Sequence, residues 1–144
     1  MIIRIGSVLL ALFVFAPLEA ASGPKRVLLV HSFGRDFAPF GSMVRDFRGL
    51  LARESPYPIE FLESSLEKSR LHGEESEAPL IDYLGALYRE NPPDLVVLVG
   101  APAAIFWRRH REDLFPGVPL LLFGADRRRF DEMEGDPNVA AVGY

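Results

Sequence analysis

From Arg26 onward, short runs of β-branched residues and leucine alternate with stretches whose apolar residues recur every three or four positions. Few architectures accept that alternation. Apolar runs bounded by turn residues read as buried strands and the helical-period stretches as crossovers, which together build a parallel sheet layered with helices. Val27 to His31 is the first strand, continuously apolar up to its histidine and suited to burial on both faces. Phe40, Met43, Val44, Phe47, Leu50 and Leu51 then mark the buried stripe of a surface helix, with Arg45, Asp46, Arg48 and Arg53 between them. Pro56 and Pro58 stop it, and Ile59 to Leu62 is expected to form the second strand.

Ser64 to Ser76 is polar and reads as a connection of about a dozen residues, longer than such units usually need. Leu80, Ile81, Leu84, Leu87 and Tyr88 share one face of a second helix that ends at Asn91-Pro92-Pro93. Leu95 to Val99 is the most apolar run and therefore the expected centre of the sheet. Pro102 opens a third helix, running to Phe115, where its missing N–H costs nothing. Val118 to Phe123 is expected as the fourth strand, Asp126 to Met133 as a short polar helix and Val139 to Val142 as the fifth strand. The reading is a three-layer α/β lobe with a mostly parallel five-stranded open sheet in flavodoxin-like order, 2-1-3-4-5, over residues 23–144. Its 144 residues suit one domain, and 49% hydrophobic residues are enough for a core.

The first 22 residues read differently. Arg4 precedes an apolar run of about a dozen residues, short of the ~20 that span a bilayer, and Pro17 with small residues closes it. That order predicts an export signal, a mature chain beginning near Ala21 or Gly23, and a periplasmic or secreted location.

Several chemistries are refused. With no cysteine, thiolate catalysis, cysteine-ligated metals and disulfides are excluded. The net charge of −4, with export, argues against nucleic acid as a partner, and the clusters Arg108-Arg109-His110-Arg111 and Arg127-Arg128-Arg129 sit beside acids as solvated faces. The first strand is followed by His31-Ser32-Phe33-Gly34, which is neither a dinucleotide fingerprint nor a P-loop, and there is no G-x-S-x-G elbow. A phosphoacceptor receiver would want an aspartate where the third strand ends in Gly100. His31, His72 and His110 have no second ligand at helical spacing, and although His72-Gly73-Glu74 could supply two donors, neither a metal nor a cofactor is expected. His31 reads as a core or cleft residue.

Three segments carry a family resemblance. Lys25 to Phe33, Pro92 to Val97 leading into Gly100-Ala101-Pro102-Ala103-Ala104, and Phe115 to Gly124 resemble the first lobe of a periplasmic binding-protein-like domain. The version most resembled occurs in ABC-transporter substrate-binding proteins and in the extracytoplasmic sensors of bacterial histidine kinases, and Glu63-Ser64-Ser65-Leu66-Glu67 fits the sensor form. The resemblance spans Lys25 to Gly143 and implies a small-solute-binding lobe that does no chemistry. It further implies an ABC permease or a kinase region as partner and a second lobe that this sequence lacks, so the chain reads as a fragment. The alternative use is ligand sensing for a kinase. An exported flavodoxin-like enzyme is a weaker rival, for want of catalytic residues.

Ligands of open parallel sheets bind beyond the carboxyl ends of the strands. The expected cleft residues are accordingly Ser32, Phe33, Ser64, Ala101, Pro102, Phe123 and Asp126. Ser32 and Ser64 would donate hydrogen bonds, the aromatics would flank apolar parts, and the amides of Ala101 to Ala103 would take an anionic group at the start of the third helix; the alternative for that turn is that its small residues only allow close packing of strand and helix.

Overall fold

Along the chain come β1 (Lys25–His31), α1 (Phe40–Glu54), β2 (Ile59–Ser65), α2 (Ala78–Tyr88), β3 (Leu95–Val99), α3 (Ala101–Leu114), β4 (Leu120–Phe123) and β5 (Val139–Val142). The computed structural model describes residues 23–67, 77–124 and 136–142. The expected export segment, most of the long connection after β2 and the expected helix from Asp126 to Met133 lie outside the described residues. All pairings are parallel and the order is β2-β1-β3-β4-β5, so the expected flavodoxin-like α/β sheet is the observed one.

Each β1 and β3 residue alternates between two apolar layers. Leu28, Val30, Val96 and Leu98 face α2 and α3, where Leu84, Tyr88, Phe106 and Trp107 complete the larger core. Val27, Leu29, Val97 and Val99 face α1, which contributes Val44 along with the half-buried Phe40, Met43, Phe47 and Leu51. Burial on both faces explains why β1 and β3 read as unbroken apolar runs. At the edge, β5 is short, and Ala140, Ala141 and Val142 stay exposed.

Two boundaries depart from expectation in ways that matter for the site. β2 continues to Ser65, because β1 offers it hydrogen-bonding partners as far as His31: Leu29 pairs with Glu63, Val30 with Ser64 and His31 with Ser65. The segment Glu63-Ser64-Ser65 thus belongs to the strand and does not follow it. β4 starts only at Leu120, since Pro119 has no N–H to give to a ladder and contributes only its carbonyl, to Val96.

Candidate functional site

The sheet reverses its winding between β1 and β3, which is where a crevice is expected in such folds. Here that place is packed. Gly100, at φ +86°, turns the chain from β3 into α3, and a Cβ on it would lie 2.9 Å from Ser32 Oγ. Ser32, 1% exposed, donates its hydroxyl to Val99 O at 2.6 Å and accepts the Ala103 N–H at 2.9 Å. It therefore caps α3 from the turn that follows β1, supplying the oxygen that Gly100 lacks. Pro102 has no N–H, so of the amides Ala101 to Ala103 the cap and the imino acid leave only that of Ala101. Phe40, from the first turn of α1, lies over the same edge: a Cβ on Gly124, at φ +68°, would meet its ring at 2.8 Å, and one on Gly100 would meet it at 3.6 Å.

An open pocket of about 300 Å³ lies instead on the α1 side, lined by His31, Arg35, Asp36, Gly41, Val44, Arg45, Arg48 and Glu63. Its floor follows from strand alternation. Glu63 continues the face of Ile59 and Phe61, and His31 that of Val27 and Leu29, so both project into the otherwise apolar α1 layer at its carboxyl end. The Glu63 side chain is 10% exposed and is held by Arg35 Nε at 3.0 Å and by Arg48 Nη1. The Arg48 guanidinium also lies over the Phe61 ring, 4.8 Å from its centroid. Its apolar stem thus follows the layer while its head reaches the carboxylate.

His31 is 2% exposed, and its Nε2 stands 3.4 Å from Glu63 Oε2, outside hydrogen-bonding geometry, leaving that buried atom without a hydrogen-bond partner. Burial holds its pKa below the ordinary 6.5; the Glu63 carboxylate pulls the other way, and Arg35 and Arg48 add to the lowering. The imidazole is therefore neutral at neutral pH. The loop bearing Arg35 and Asp36 packs closely on α1, because Gly41 leaves space there: a Cβ on it would come within 3.0 Å of Arg35 O and 3.2 Å of Asp36 Cα.

The expected cleft residues do not assemble as one wall. Ser32, Ala101 and Pro102 meet at the β1/β3 edge, but there the Ser32 hydroxyl serves the fold and is not free to donate to a ligand. Phe123 is 7% exposed and packs on Phe47 with ring centroids 5.3 Å apart, so it is core and does not flank a cleft. Phe33 is half-buried against the exposed Phe37. Ser64, opposite Val30, faces α2 and α3, away from the pocket. Asp126 lies outside the described residues. The pocket residues Glu63, Arg35, Arg45 and Arg48 were not anticipated, although a glutamate two residues beyond Phe61 on an inward face was a readable signal. Among the described residues no group of three or more histidines or carboxylates could hold a metal, and no helix is long and apolar enough to cross a membrane.

Compared with family models, curated proteins and solved structures, the chain matches none.

Proposed function

We propose that this chain is an extracytoplasmic small-solute-binding lobe of the kind found in ABC-transporter substrate-binding proteins. The observation that carries the reading is a pocket of about 300 Å³ at the carboxyl end of a parallel sheet, with the buried, unpartnered His31 Nε2 in its lining. Open α/β sheets take their ligands at that edge, and a buried polar atom without a hydrogen-bond partner, when it lines a pocket, can be satisfied by a water, an ion or a polar group of a solute. Binding without chemistry is favoured because the described residues of the pocket lining include no hydroxyl or thiol nucleophile and both oxygens of their one deep carboxylate are tied to guanidiniums.

The test is a panel of anionic, neutral and cationic small solutes added to the full chain, read by the NMR resonances of the His31 imidazole and by melting temperature. A saturable shift at His31 with a rise in melting temperature is expected for at least one class. Silence of His31 toward every class would overturn the reading.

A further inference from the structure

We infer that the pocket binds the oxyanion end of its solute, a carboxylate or a phosphate, between Arg45, Arg35, Arg48 and the His31 Nε2. The inference rests on the solute-binding reading above and goes on to name the chemical class.

Three guanidiniums and two carboxylates line the pocket, a surplus of one positive charge with His31 neutral. The surplus is not evenly spent. Arg35 gives Glu63 only its Nε and Arg48 only Nη1, so both keep further N–H groups for another acceptor. Arg45 makes no ion pair or side-chain hydrogen bond with any described residue, yet it stands in the pocket wall, next to Val44 in the chain and about one turn of α1 before Arg48. A guanidinium fork matches the paired oxygens of a carboxylate or phosphate, and several forks converging on one small volume favour an oxygen anion over a neutral or cationic solute. Glu63 does not oppose this, because its charge is met by two cations before a ligand arrives. Its role is to hold Arg35 and Arg48 in place; the Glu63 carboxylate is a positioning group, and His31 is the buried contact at the floor.

The experiment titrates the full chain with inorganic phosphate and, separately, with sodium acetate, at ionic strength fixed by sodium chloride. Glycerol and methylammonium serve as neutral and cationic probes. The expected result is a saturable shift of the His31 imidazole resonances with one or both anions, with phosphate alone pointing to a phosphorylated solute and acetate alone to a carboxylic one. Arg45→Gln should weaken that binding about tenfold or more while leaving the melting temperature without anion unchanged, because Arg45 is exposed and holds no described partner. Arg53→Gln, which removes a cation from the far end of the same helix, should leave binding intact. Equal affinity in wild type and Arg45→Gln, or no response of His31 to either anion while glycerol or methylammonium moves it, would overturn the oxyanion assignment and leave solute binding standing. No response to any probe would overturn both.

Discussion

Two glutamates sit among arginine and histidine at the rims of the two apolar layers. Glu77, which precedes α2, is 1% exposed; its Oε1 accepts from Arg109 Nη2 at 2.9 Å and its Oε2 lies 2.9 Å from His110 Nε2, both partners coming from α3. Glu63 takes two guanidiniums, yet the histidine beside it, 3.4 Å away, keeps a buried nitrogen without a hydrogen bond, and a pocket opens next to it. The residue types are nearly the same. One cluster closes on itself and ties α2 to α3, whereas the other closes only partly and leaves donors facing water. What marks a candidate site is thus unspent hydrogen-bonding capacity in a confined space, more than the presence of titratable groups.

The layers under the two clusters differ in the same sense, and the largest expected effect tests that. Trp107 and Phe106 of α3 are fully buried, while Val44, at 5% exposure, is the one buried residue of α1. Trp107→Ala should cost about 3 to 5 kcal/mol, since a large cavity would open where the sheet cannot follow. Val44→Ala should cost about 1 to 2 kcal/mol for the methyl groups removed. Urea denaturation of both variants measures the pair; a costlier Val44→Ala would mean that the α1 layer, pocket included, is the principal core.

Next in size come the glutamates themselves. Glu77→Gln removes the countercharge of a closed cluster and should destabilise by about 2 to 4 kcal/mol, toward the range for breaking a buried pair. Glu63→Gln should cost about 1 to 2 kcal/mol, because Arg35 and Arg48 are exposed enough to turn to water. The same variant should weaken anion binding by loosening those two arginines. If the stability ranking reverses, the closed and open descriptions of the two clusters must be exchanged.

How much of this was legible depended on whether the signal was local. β3 and β5 have the bounds expected from their apolar runs, and the parallel pairing is the one that the alternation of runs and amphipathic stretches implies. β2 was read three residues short because Glu63, Ser64 and Ser65 are polar, and what keeps them in the strand is pairing with β1, a nonlocal property. The same error hid the pocket: once Glu63 was placed in a loop, nothing required it to face α1. Arg45 and Arg48 read as a solvated helix face, yet Arg48 stands four residues after Val44, so its long side chain can fold back over the sheet. The small residues from Gly100 to Ala103 mark a tight junction, but its capping oxygen comes from Ser32, in the turn after β1 and distant in sequence.

Ser32 sharpens the comparison as a third polar group at the carboxyl edge, spent internally like Glu77. Ser32→Ala leaves the Ala103 N–H buried without an acceptor and should cost about 1 to 2 kcal/mol, the usual price of a lost helix cap. Anion affinity should hardly change. A variant of unaltered stability that loses ligand response would move the site from the α1 pocket to the β1/β3 turn and break the contrast drawn above.

The smallest effect expected is a pH dependence carried by His31. Its folded pKa lies below the ordinary 6.5, chiefly through burial, so below pH 6.5 the unfolded chain takes up a proton that the folded chain resists. Stability from this source is complete above 6.5, declines as the pH falls from there toward the folded pKa, and levels off beneath it. Desolvation is the largest single influence on His31; Glu63 favours the imidazolium, and Arg35 and Arg48 oppose it. Asp94 and Asp136 have carboxyl pKa values lowered from 3.8, through hydrogen bonds from the Arg26 and Asn138 amides before any charge effect, and their contribution is lost only in more acid solution. The window just below 6.5 is therefore separable from theirs. Comparing melting temperatures of wild type and His31→Gln across it isolates the imidazole, since the other histidines are common to both proteins. The wild type should lose stability more steeply with acid. Parallel curves would mean that His31 is not held neutral in the fold, and that its cluster is as fully satisfied as the one around Glu77.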